Sequence, residues 1–345
     1  DYLNNYHTKI AEYFFSDQVQ KNGGSVSAKS FSRRQSALLK IKLLSIIPKH
    51  DKDIILFSNH QLQYITKNLK SKSIFNMWMG NYSITEIADL LYFLEAEYPS
   101  SLPKKILLTS ITSPNNDNLG AVFGYSNELP LNIQYYSKNP YVNRKSKTFF
   151  NLGSIFESSL LAREIIHYSD FKFLWGFLKN KVLLNSDNIY ISNNSSITGT
   201  FSFDSTGSST GFQGVDNRPL IFNESHTALN ILNRDISFKN VDEILYSLKA
   251  IDDLAKRNNL IHVLIIPPVY ESNSPTRKNT LANKILDKAI LDFQKVAMSS
   301  LIIDDRYDPE LLGESNDSYY YHFDHPSPKY GDRIYNELQD LNLIN

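Results

Sequence analysis

The sequence predicts an α/β protein: a doubly wound, flavodoxin-like parallel sheet of about five strands, with helices on both faces and an inserted helical and loop cap. Three observations predict it. Short, largely apolar runs, the mark of strands buried on both faces, recur at Asp53–Phe57, Ser73–Met77, Lys105–Ile111, Asn259–Ile266 and Ser300–Ile303. Amphipathic helical patterns follow or separate them, at Thr85–Glu97, Val241–Arg257 and Leu281–Met298. The first strands each break off in a small polar cluster, and in open α/β sheets ligands bind at the carboxyl ends of strands.

Bulk properties set limits on function. Lys+Arg and Asp+Glu number 36 each, so net charge calls for neither nucleic acid nor an anionic surface. With 41% hydrophobic and 21% charged residues, the chain can bury an ordinary core. Cysteine is absent, which excludes disulfides, thiolate metal sites and cysteine nucleophiles. No run of 18 apolar residues occurs, so no segment of this sequence reads as a membrane-spanning helix. The chain begins Asp1-Tyr2, which leads us to expect a preceding signal or anchor segment.

In chain order, residues 1–50 read as an N-terminal helical segment. Within them Lys21–Ser32 is a Gly/Ser/Lys-rich loop or linker, and Phe31–Ile47 is a basic amphipathic helix carrying Arg33, Arg34, Lys40 and Lys42. That helix suits a surface packed on the sheet or contact with a membrane surface. Residues 51–118 form the first half of the α/β domain, with a helix over Gln61–Leu69 after the first strand. Residues 119–235 form the insertion. It holds two helical patterns, Ser154–Tyr168 and Phe171–Leu184, and a Ser/Asn/Thr/Gly-dense loop over 186–225. Residues 236–345 complete the domain, with a final helix to about Leu341.

The polar clusters are the candidates for chemistry. The first strand runs into Ser58-Asn59-His60, the second into Asn76 with Gly80 close behind, and the third into a loop containing Asn115 and Asn116. Near the C-terminus stands His322-Phe323-Asp324-His325-Pro326-Ser327, followed by Gly331 and a helix. Each has a plain structural alternative. Ser58 and Asn59 suit a strand-end turn or a helix cap. His60 suits a hydrogen-bonded structural residue, and Asn76 and Gly80 suit turn positions. His322, His325 and Asp324 lack the further clustered ligands of a zinc site. The aromatic run Tyr319–Tyr321 suits a packed edge or a carbohydrate-stacking platform. No glycine-rich loop has the strand–turn–helix setting of a phosphate site, so we expect neither a nucleotide nor another cofactor.

The ordered set of blocks over roughly 52–118 and 240–341 resembles the SGNH/GDSL hydrolase superfamily. The likeness is greatest to its cell-envelope, membrane-anchored members related to polysaccharide O-acetyltransferases and D-alanyl transfer proteins. The resemblance implies a serine nucleophile at the first strand end, a glycine and an asparagine as oxyanion donors, and a histidine base oriented by an acid. Gly80 matches the second block, Asn115 or Asn116 the third, and His325 the base. The nucleophile block departs from the family. Phe57 stands at the Gly position, Ser58 at the Asp position and Asn59 at the serine position. His322 stands where the orienting acid belongs, with Asp324 adjacent to His325. Either a one-residue shift makes Ser58 the nucleophile, or the copy is inactive. The resemblance thus implies an extracytoplasmic acyl-ester transferase or esterase acting on an envelope or surface glycan, with an acyl-donor partner protein possible. Its alternative is an SGNH-fold protein with a structural, assembly or glycan-binding role.

Overall fold

The computed structural model describes residues 25–28, 40–41, 43–44, 52–66, 74–78, 82–111, 129, 133, 136–141, 189–192, 202–204, 207–209, 239–268, 280–308, 320–322 and 325–344. Its centre is an all-parallel sheet of five strands. These are β2 (Ile54–Ser58), β3 (Ile74–Trp78), β4 (Ile106–Ser110), β7 (Ile261–Ile266) and β8 (Ser300–Asp304). The spatial order is β3-β2-β4-β7-β8. The first strand in sequence lies beside both the second and the third, the flavodoxin-like doubly wound arrangement. The winding reverses at β2 and β4, and the carboxyl ends of strands at such a switch point are where open α/β sheets bind ligands.

Consecutive apolar residues make these strands because both faces are covered. Strands β2, β3 and β4 are buried at every position. Ile55, Phe57, Leu107, Leu264 and Ile266 project to one face. There they meet helices α1 (Ile84–Glu97), α2 (Lys239–Arg257) and α3 (Leu281–Gln294). Ile54, Leu56, Ile106, Leu108, Val263 and Ile265 project to the other. They meet Leu62, Ile65 and helix α4 (Pro328–Asp340) through Tyr330, Ile334 and Leu338. Helix α1 starts at a capping box: Ser83 Oγ accepts from the Glu86 amide while the Glu86 carboxylate accepts from the Ser83 amide.

Several boundaries differ from the sequence expectation. The segment expected as a helix over Gln61–Leu69 is a 3-10 turn, His60–Leu62, followed by turns to residue 66. The Asn59 side chain, the Asn76 amide and the backbone of the 207–209 segment take its polar groups, so a regular helix there has lost its partners. Helix α3 stops at Gln294 rather than Met298, because the Asp252 carboxylate accepts from the amides of Met298 and Ser299 and pulls the chain out of the helix.

A second sheet lies within regions read as loops. Strand β1 (Ser25–Ala28) pairs antiparallel with β5 (Ile189–Ser192) and β6 (Ser202–Asp204). The expected linker over Lys21–Ser32 and the expected loop over 186–225 thus each contain strand. These strands are three or four residues long and pair across more than 150 positions, so no local periodicity announces them. Strands β9 (Tyr320–His322) and β10 (His325–Pro326) form an antiparallel ribbon. Residues 40, 41, 43 and 44 of the expected N-terminal helix are helical. The helices expected at Ser154–Tyr168 and Phe171–Leu184 lie outside the described residues.

Candidate functional site

Of the residues singled out above, Ser58, Asn59 and Asn76 have described side chains, and they lie at the carboxyl ends of β2 and β3. Strand β2 ends on Ser58, which is 0% exposed, and no described group makes a hydrogen bond to its Oγ. A buried hydroxyl without a partner costs about 1–3 kcal/mol, so its retention calls for a reason.

Asn59 turns the chain. Its Oδ1 accepts from the Gln61 amide at 3.0 Å, and its backbone carbonyl accepts from the Leu62 amide at 3.3 Å. This is the capping role that its position after a strand allowed. Asn76, fully buried on β3, donates from Nδ2 to the Leu62 carbonyl at 2.8 Å, and its Oδ1 accepts from the Trp78 amide at 3.1 Å. Asn76 therefore ties the end of β3 to the turn that follows β2.

Two further segments close over this edge. Gly207 has φ +76° and lies against the Asn76 backbone; a Cβ there would sit 2.3 Å from the Asn76 carbonyl oxygen. Ser208 Oγ lies 2.6 Å from Thr66 Oγ1, and the Ser209 amide donates to the Gln63 carbonyl at 2.8 Å. Lys40, expected on a surface helix face, is 1% exposed. Its Nζ donates to the Trp78 carbonyl at 2.7 Å and stands 4.0 Å from the centre of the Trp78 ring. Trp78 is the cross-strand partner of Ser58.

The C-terminal block comes to the same place. Strand β10, which begins with His325, packs against the turn His60–Leu62. His322 and His325 are backbone partners in the ribbon. Helix α4 follows at once and approaches so closely that a Cβ on Gly331 would lie 1.6 Å from the Ile65 carbonyl oxygen. Only glycine permits that approach. Tyr330, buried on α4, donates to Asp305 Oδ2 at 2.8 Å, just past the end of β8. Arg333 bridges to Asp308 at 2.6 Å and lies 3.6 Å from Asp305. Burial pushes the Asp305 carboxyl up, against the opposing pull of the Tyr330 hydrogen bond and the Arg333 charge. The side chains of His60, His322 and His325, together with Gly80, Asn115, Asn116 and Asp324, lie outside the described residues. Among the described residues no cluster of His, Asp and Glu could hold a metal ion.

Ser110 shares the setting of Ser58, although the sequence reads it as a strand residue. It ends β4 as Ser58 ends β2, is 4% exposed, and its Oγ also has no hydrogen-bond partner among the described residues. The signal was available in Leu107-Leu108-Thr109-Ser110-Ile111, where two hydroxyls interrupt an apolar run at a strand end.

A separate polar chain crosses the sheet elsewhere. His262 is 0% exposed, with Nε2 2.7 Å from Thr109 Oγ1 and Nδ1 2.6 Å from Ser300 Oγ. Ser300 in turn donates to Asp252 Oδ1 at 2.5 Å. Because the Ser300 proton goes to the carboxylate, its oxygen accepts from His262 Nδ1–H, and Nε2 accepts from Thr109. Burial lowers the His262 pKa to about 4, against the opposing charge of Asp252. Hydrogen bonds from Ser300, Met298 and Ser299 hold the Asp252 carboxyl below its ordinary value although burial acts to raise it. His262 and Ser300 lie at the amino-terminal ends of β7 and β8, across the sheet from Ser58. This network joins β4, β7, β8 and α2 and is structural.

No protein-family model matches the chain, and no curated protein matches it either.

Proposed function

We propose that the chain is an SGNH-like acyl-ester transferase or esterase acting on an envelope or surface glycan outside the cytoplasm, with Ser58 as nucleophile and His325 as base. The observation that carries this reading is the Ser58 hydroxyl. It is buried, without a hydrogen-bond partner among the described residues, at the carboxyl end of a central strand beside the topological switch point. The packing of the His325 strand on the turn after Ser58 adds support.

In the proposed reaction Ser58 Oγ attacks the ester carbonyl carbon and its proton passes to the His325 imidazole. The C–O bond to the leaving alcohol breaks, and that alcohol takes the proton from His325. The acyl group then rests on Ser58 as an ester. A glycan hydroxyl, or water, attacks the acyl carbon while His325 accepts its proton; the bond from that carbon to Ser58 Oγ breaks, and His325 returns the proton to Ser58. With Ser58 fully buried, an ester must enter by displacing a covering segment, and Gly207–Ser209 lies across this edge. The acyl group would come from a donor partner protein or a small ester.

A second reading has its own observation. Asn59 occupies the nucleophile position of the resembling family and serves as a turn cap. That fits an inactive SGNH-fold protein with a structural, assembly or glycan-binding role. Hydrolysis of p-nitrophenyl acetate separates the two. The enzyme reading expects turnover by the wild type and its loss in Ser58→Ala and His325→Ala; a rate unchanged by Ser58→Ala removes it.

A further inference from the structure

We infer that Ser110 is a second catalytic hydroxyl at the switch point, donating from Oγ to the oxyanion that forms on the substrate when Ser58 attacks. The inference rests on the acyl-ester reading above.

Strands β2 and β4 are parallel neighbours, in register through Phe57↔Thr109. The next step along both strands brings Ser58 beside Ser110. Side chains alternate between faces along a strand. Ile54 and Leu56 share one face with Ile106 and Leu108. Two residues beyond Leu56 and Leu108, Ser58 and Ser110 fall on that same face. Neighbouring strands are about 4.8 Å apart, so an atom bound to one hydroxyl is within reach of the other.

Both hydroxyls are buried and neither has a hydrogen-bond partner among the described residues. One unsatisfied hydroxyl in a core is an isolated cost. Two on the same face of neighbouring strands, at the carboxyl ends where the sheet reverses its winding, place two hydroxyl donors within reach of one bound atom. The chemistry they suit is a carbonyl turning into an oxyanion. One hydroxyl gives up its proton and forms the C–O bond, while the other keeps its proton and donates it as a hydrogen bond. A serine hydroxyl serves in this way when it is held about 2.7–3.1 Å from the oxyanion in a site without bulk water. No proton leaves Ser110, so the balance of the reaction is unchanged.

The test is Ser110→Ala in the full chain, with p-nitrophenyl acetate as substrate and phenylboronic acid as a probe that forms a tetrahedral adduct on a serine. Loss of one oxyanion donor lowers kcat by about 100- to 1000-fold with KM nearly unchanged. Phenylboronic acid inhibition should weaken in parallel, because its adduct carries the same oxygen. Since Ser110 makes no hydrogen bond to any described residue, the variant should fold with an unfolding midpoint no lower than the wild type. Wild-type kcat in Ser110→Ala, alongside inactive Ser58→Ala, overturns this inference and leaves the enzyme reading standing. A fall in KM-type binding alone, with kcat kept, also overturns it. Activity that survives Ser58→Ala sinks the enzyme reading, and the role of Ser110 with it.

Discussion

Replacing Ser58 by alanine should stabilise the protein while abolishing its activity. The perturbation is small: one oxygen is removed from a fully buried side chain that makes no hydrogen bond to any described group. Leaving such a hydroxyl buried and unpaired costs roughly 1–3 kcal/mol, and alanine relieves that cost. An unfolding entropy of about 2.1 cal/mol/K per residue gives about 0.7 kcal/mol/K for 345 residues. The unfolding midpoint of Ser58→Ala should therefore rise by roughly 1–4 °C. Differential scanning calorimetry on both proteins at one pH reads this directly, with ester hydrolysis measured on the same samples. Gain of stability with loss of function is the pattern of a group kept for chemistry. A midpoint that falls shows that the hydroxyl makes a stabilising bond and is not held in isolation for chemistry.

Three other outcomes follow from the geometry. His262 has a folded pKa of about 4 against an ordinary 6.5, so the unfolded chain binds a proton that the folded chain refuses between those values. Its contribution is complete above about pH 6.5 and declines as pH falls toward 4, by roughly 3 kcal/mol. Denaturant midpoints measured across that range should show this slope, and His262→Gln should flatten it. Glu243 behaves in the opposite sense. Burial raises its carboxyl from 4.5 to about 7, against hydrogen bonds from Asn240 and Thr85. The folded state then holds the extra proton, and stability falls as pH rises from 4.5 to 7. Glu243→Gln should be more stable than wild type at pH 8, by up to roughly 3 kcal/mol, and little different near pH 4.5. Gly331→Ala forces a methyl group to within 1.6 Å of the Ile65 carbonyl oxygen unless α4 moves. Overpacking of this kind costs on the order of 1–3 kcal/mol or more, so the midpoint should drop. Ester hydrolysis should drop too, since α4 follows directly on the His325 strand.

The parallel sheet was legible because its physics is local. A strand buried on both faces must be apolar throughout, and Ile54–Phe57 and Val263–Ile266 state that in consecutive residues. Helices α1 and α2 were legible from the spacing of their apolar residues. What escaped depends on partners far away in sequence. Strand β1 becomes a strand through β5 and β6, more than 150 residues on. Lys40 read as a surface cation; its carbonyl partner at Trp78 and the ring beneath it come from elsewhere in the chain. The turn that Asn59 makes is legible from an Asn directly after a strand, and its Oδ1 accepts from the Gln61 amide. Ser110 is not legible as more than a strand residue, because a hydroxyl inside an apolar run reads as part of the strand. Its meaning appears only when register sets it beside Ser58.

The central claim is that Ser58 is a nucleophile held in a functional site. The most direct measurement is covalent: incubate the native protein with a fluorophosphonate, which phosphonylates an activated serine, and locate the adduct by mass spectrometry of peptides. One adduct per chain is expected, on the peptide carrying Ser58. It should be absent from Ser58→Ala and much slower to form in His325→Ala. No adduct, or an adduct on another residue with Ser58 untouched, would contradict it.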